Sequence, residues 1–128
     1  MTWLDFIENP KTVLGYFDET PSVESVTAHS LVLRRDGPVA ALVFDLIQYP
    51  SRPSPRWPEG SNTCQLTIDA IGLESVNLSA WGTGVVGRIE IERIDQNVRL
   101  SFSGDASFQI TCAYLRIACV TGYLNGQA

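Results

Sequence analysis

Few side chains in this sequence have the type and spacing for chemistry. His29 is the single histidine, set between Ala28 and Ser30 with no acid or thiol beside it. A general base must lie within hydrogen-bond reach of its proton and is best held by an orienting partner. The reading here is therefore a histidine satisfied in or on a sheet. Glu90 and Glu92 share one strand face, with β-carbons roughly 6–7 Å apart from the strand rise. Glycosidase carboxylates use comparable separations. Arg88 shares the face, however, and exposed turns flank it, so a solvated, salt-bridged surface is preferred, one that would also suit a basic partner. Asp45 and Asp69 fall on the polar faces of their strands.

Other signatures fail. Gly82, Gly84 and Gly87 are followed by neither a helix nor a Lys-Ser/Thr pair, so they are turn glycines and not a phosphate loop. No Gly-x-Ser-x-Gly elbow is present. The three cysteines, Cys64, Cys112 and Cys119, are odd in number, widely spaced and set among apolar residues. That pattern argues for reduced core thiols over a disulfide framework or a zinc site. With no ligand-spaced companions for His29, neither metal nor cofactor is expected.

The stretch Tyr49–Gly60 points elsewhere. It holds four of the seven prolines, Trp57, Arg52 and Arg56, and lies between two strand-like segments. Proline lacks the backbone N–H and fixes φ, so this is a stiff surface loop and not a central strand. Tyr49, Arg52, Arg56 and Trp57 are residue types that anchor protein interfaces. Trp57 has two readings: an exposed anchor for a partner pocket, or a hydrophobic lid folded back over the sheet.

Composition narrows the class. A chain of 128 residues is one domain with a single core, and 45% hydrophobic with 18% charged residues is ordinary for a globular protein. The net charge of −5 and the single lysine, Lys11, disfavour nucleic acid. They fit a basic partner better than an acidic one. The amino terminus lacks a basic, apolar leader, and no run approaches the ~18 apolar residues of a membrane helix. A cytoplasmic monomer is the expectation.

Periodicity supplies the elements. Thr2 with Asp5 reads as a capping pair for a short helix bearing Trp3, Phe6 and Ile7. Asn9-Pro10 reads as the cap of a second helix over 10–17, stopped by residues 18–22. Beyond Ser22 the period becomes two. Strands are predicted over 23–35 and around Leu42–Leu46, joined by an Arg35-Asp-Gly-Pro38 turn, then at Cys64–Ala70 and, past Gly72, at Val76–Ala80. Val85–Ile94 and Val98–Ser103 follow, with Asp95-Gln-Asn97 between them. In the last segment Phe108, Ile110 and Cys112 hold even positions, whereas Leu115, Ile117 and Cys119 hold odd ones. A strand with a bulge explains this shift; a helix from Ala113 is the alternative for 113–121. The fold expected is α+β, mainly β: about eight antiparallel strands over 23–121 after two short helices in 1–18. The sheet forms either a sandwich or an open sheet that curls or folds over itself.

Several of these elements occur in a recognisable order: Asn9-Pro10 before an apolar helix, Pro21-Ser22, Arg35-Asp36-Gly37, Phe44 ahead of the proline loop, Pro55-Arg-Trp57, Asn62 with Gln65-Leu66, and Trp81. Together they resemble the immunity protein 50 family, small bacterial proteins associated with polymorphic toxin systems. The resemblance covers most of the chain up to Trp81. It implies a cytoplasmic, non-enzymatic antidote that binds a cognate toxin domain. It assigns no contacting residue and no toxin activity. From the residues themselves, the candidate toxin-binding set is Tyr49, Arg52, Arg56, Trp57, Glu90 and Glu92. Two rivals differ in class: a small-ligand or carbohydrate-binding β domain using Trp57 and Trp81, and a hydrolase built on Glu90 and Glu92.

Overall fold

The structure, a computed structural model, describes residues 2–126. Six antiparallel strands form one sheet: β1 (Val26–Arg34), β2 (Val39–Asp45), β3 (Thr63–Ser79), β4 (Val86–Ile94), β5 (Asn97–Gly104) and β6 (Ser107–Tyr123). The strand order is β1-β2-β3-β6-β5-β4, and β4 returns to β1 to close a barrel.

Six strands stand in place of the expected eight or so, and one segment that looked broken is continuous. β3 runs straight through Gly72, so Cys64–Ala70 and Val76–Ser79 belong to one 17-residue strand. β6 is also 17 residues long, which settles 113–121 as strand. These two strands pair along nearly their whole length. Their upper halves carry β2, and their lower halves carry β5 through the Val98↔Cys112 to Ser103↔Ser107 register. The sheet thus folds over itself about the middle of the β3–β6 ladder, and the apolar faces of its two halves meet inside.

The fold line is at Gly72. Its φ is +71°, and a β-carbon there would stand 2.7 Å from the Ala113 β-carbon on β6. Inward facing changes phase on both strands at this point: Ala70 and Leu115 are buried on one side of it, Cys112 on the other. The anticipated shift in β6 is therefore a bend shared with β3. A second register shift, opposite Thr67/Ile68, returns the phase, so Val120 packs against the core and Cys119 is exposed. This corrects the placement of Cys119 in the core. Cys64 and Cys112 are buried.

Side chains from every strand fill the interior. Phe102 stacks on Phe108 at 4.8 Å and 3°, beside Phe44, Leu66, Ile68, Leu100, Ile110 and Leu115, all buried. Each such side chain contributes on the order of 1.5–3 kcal/mol of apolar burial.

The amino-terminal region contains little helix: a 3-10 turn over Trp3–Phe6 and one α turn, α1, at Lys11–Leu14. Thr2 N–H donates to Asp5 Oδ2 at 2.8 Å, as the capping pair requires. Asn9 behaves differently from a cap. Its amide brackets the backbone of Ile117, accepting from the N–H at 2.8 Å and donating to the carbonyl at 2.9 Å. Ile7 also bridges Leu115, and Glu8 N–H donates to the Leu115 carbonyl. Residues 7–9 therefore act as a short strand on the edge of upper β6, where β5 has diverged. The second helix stops at Leu14 because the carbonyls of Leu14, Gly15 and Phe17 bond to the Arg52 guanidinium.

Gly72→Ala is expected to cost about 2 kcal/mol or more, from an unfavourable φ added to overpacking against Ala113. Adding Ala113→Gly should recover part of that loss by removing the steric share alone. Urea denaturation of the single and double variants measures both.

Candidate functional site

The proline loop is tied down at both ends. Arg52 bonds to three carbonyls and forms an ion pair with Asp18, while its own N–H donates to Tyr16 O at 3.0 Å. Trp57 stacks on Tyr16 at 5.2 Å and 17° and meets Tyr49 edge-on at 6.2 Å. Its indole lies flat on Gly122, where any β-carbon would collide with the ring. The lid reading of Trp57 thus describes its resting position, half-buried against the core. Tyr49 is 37% exposed. Arg56 is exposed with no ion pair among the described residues.

Glu90 and Glu92 are exposed on the outer face of β4. The partner of Glu92 is Arg99, directly across on β5 at 4.0 Å. Glu90 lines a groove of 570 Å³ with Arg88, Ile91, Trp3, Phe6 and residues 20–24. Tyr49 lines a smaller depression of 340 Å³ with Gln48, Ser51, Phe17, Asp18 and Glu19. The two candidate patches therefore flank one segment, residues 17–24, fastened by Ser22 N–H donating to Gln48 Oε1 at 2.6 Å. This segment adds Glu19 and Glu24 to the acids of β4. Sequence reading treated 18–22 only as a helix stop and missed its bridging position. Its run of acids was the available signal.

A buried carboxylate stands on the outer face of the upper sheet. Asp45 is 7% exposed. It accepts from His29 Nε2 at 2.7 Å, from Gln65 Nε2 at 3.1 Å and from the Tyr123 hydroxyl. A bulge at His29 swings that ring toward Asp45. His29 is thus satisfied on the sheet, by an acid that sequence distance concealed. Burial, and then the hydrogen bond and charge of Asp45, push the Tyr123 phenol up to about 12. Burial first and Asp45 second push the Cys64 thiol up to about 12. Burial pushes Cys112 up to about 11, opposed in part by a hydrogen bond with the Tyr114 backbone.

Trp57 and Trp81 do not share a pocket. Trp57 rests on Gly122 at one end of β6, and Trp81 packs on Phe108 near the other, at 6.2 Å. Trp81 lines a separate recess of 290 Å³ with His29, Leu31 and Leu78. Among the described residues no cluster of His, Cys, Asp and Glu is placed to hold a metal ion, and no helix is long and apolar enough to cross a membrane.

These features define a small antiparallel β-barrel whose surface carries an aromatic, proline-stiffened loop and an acidic band. The chain belongs to the immunity protein 50 family, which it matches over residues 9–123. The match continues beyond Trp81 to the end of β6, further than the sequence motifs alone reached. No curated protein and no solved structure matches the chain.

Trp57→Ala is expected to lower stability by about 3 kcal/mol or more, as loss of a packed aromatic does, measured by thermal and urea unfolding. A pH dependence also follows. Cys64, Cys112 and Tyr123 have folded values raised above their ordinary 9.0, 9.0 and 10.0. Their contribution is fully present below pH 9 and is lost as the pH rises toward 11–12. Urea midpoints should therefore fall steadily above pH 9, and Tyr123→Phe should flatten the upper part of that decline.

Proposed function

We propose that this protein neutralises a cognate toxin by binding it stoichiometrically, without chemistry of its own and without a metal or cofactor. Membership of the immunity protein 50 family carries this reading. The contact surface we assign runs from Tyr49 and Arg56 across residues 18–24 to Glu90 and Glu92. Arg52 and Trp57 support it through their bonds and packing to the body of the protein, holding the loop in its bound shape and so lowering the ordering cost of association. The acids on this surface and the net charge of −5 favour a basic toxin face. In this reading the protein is a cytoplasmic monomer until it meets the toxin.

Co-expression with the toxin domain encoded beside its gene should restore growth of an otherwise arrested bacterium and yield a one-to-one complex by light scattering. Failure of both would overturn the reading. Reversing the charge of Glu90 and Glu92 together should slow association roughly tenfold and weaken its salt dependence, because steering is screened within about 8–10 Å. Stopped-flow mixing at two ionic strengths measures this. Unchanged kinetics would remove β4 from the encounter surface.

A further inference from the structure

β4 keeps a free backbone edge. Along a strand, successive residues direct their N–H and C=O groups to opposite neighbours. Ile89 N–H points away from β5, donating to Val23 O at 2.9 Å. Gly87 pairs on that same side with Val26 of β1. By alternation the N–H and C=O groups of Ile91 and Arg93 also point there. The β1–β4 ladder consists only of Val26↔Gly87 and Thr27↔Val86, so β1 has already diverged. Among the described residues no hydrogen bond reaches the Ile91 or Arg93 backbone from that side.

This edge opens on the 570 Å³ groove. Trp3, Phe6 and Ile91 supply its apolar surface, and its charged lining is two acids, Glu24 and Glu90, against one base, Arg88. Unpaired N–H and C=O groups in register are a template for another strand. A strand added there would send alternate side chains toward the apolar groove and would set the others beside Glu90 and Glu92 on the outer face. We infer that an extended segment of the toxin, alternating apolar and basic residues, pairs with the free edge of β4 over Ile91–Arg93. The inference rests on the toxin-binding reading and specifies its geometry. A second copy of this chain fits poorly. Antiparallel pairing of two such edges sets Glu90 opposite Glu92, or Glu92 opposite Glu92, and like charges in opposed positions repel.

The test is residue-resolved amide exchange on the full chain, alone and in complex with the toxin domain encoded beside its gene. In the free chain the Ile91 and Arg93 amides should exchange rapidly, while Glu90 and Glu92, bonded to β5, are slow. In the complex Ile91 and Arg93 should slow by about 100-fold or more. Arg93→Pro removes one edge donor at a position where an edge strand tolerates proline. It should weaken binding about tenfold with little change in melting temperature, whereas Arg93→Ala should weaken it much less. A complex in which Ile91 and Arg93 still exchange rapidly, or an Arg93→Pro variant that binds normally, overturns the edge and leaves the toxin reading standing. Protection already present in the free chain and lost on dilution assigns the edge to a second copy, which overturns it as well. Absence of any complex overturns both.

Discussion

The close crossing of β3 and β6 at Gly72 and Ala113 governs the rest of the molecule. Two 17-residue strands in one ladder would, if straight, present a long sheet with an apolar face open to water. The absence of a side chain at Gly72 lets the β6 backbone approach and lets β3 take a left-handed φ of +71°. The ladder folds there, and the faces carrying Leu42, Phe44 and Leu66 on one half and Leu100, Phe102 and Ile110 on the other come together as a common core. Two of the three hairpin turns return to this line. Leu73 N–H donates to Pro38 O at the β1–β2 turn, and Asn97 at the β4–β5 turn bonds to Glu74.

Folding a single sheet in this way leaves its outer strands, β1 and β4, to close the barrel. They meet over only two residue pairs. Their divergence, and that of β5 from the upper half of β6, creates openings that the chain fills with other material. Residues 7–9 line the edge of upper β6, with the Asn9 amide imitating a strand partner, and Trp3 is fixed by donating its indole N–H to Pro21 O at 2.8 Å. At the opposite end Trp81 lies over Phe108. The early divergence of β1 from β4 leaves the Ile91–Arg93 edge unpaired. Incomplete closure between β1 and β4 is thus also what leaves a place for a partner strand.

The proline loop shows how a surface can be stiff without being regular. Its prolines prevent strand pairing, and Arg52 and Trp57 replace the missing ladder with guanidinium–carbonyl bonds and an aromatic stack on Tyr16. The side chains of interface type divide their labour accordingly. Trp57 packs half-buried against the core, Arg52 is exposed but held by Asp18 and three carbonyls, and Tyr49 and Arg56 stand at the surface. Asp45 performs a similar service on the outer sheet, joining β1, β2, β3 and β6 through His29, Gln65 and Tyr123. A carboxylate so enclosed is tolerable because its oxygens are met by donors.

Much of this architecture was legible in local pattern. The two-residue period marked nearly every strand, Asp95-Gln96 and Arg35–Pro38 marked their turns, and the order of motifs pointed to the immunity protein 50 family, because these signals depend only on neighbours in sequence. The strand count was not legible. Gly72 breaks the alternation whether a strand ends or merely bends, and only the close approach of Ala113 distinguishes the two. For the same reason Cys119 could not be placed outside without the second register shift in β6. The acids Glu90 and Glu92 were visible, but the groove that joins Glu90 to residues 20–24 was not, and neither was the pairing of His29 with Asp45. Those arrangements depend on which strands become neighbours, and closure of the sheet, a property of the whole chain, decides that.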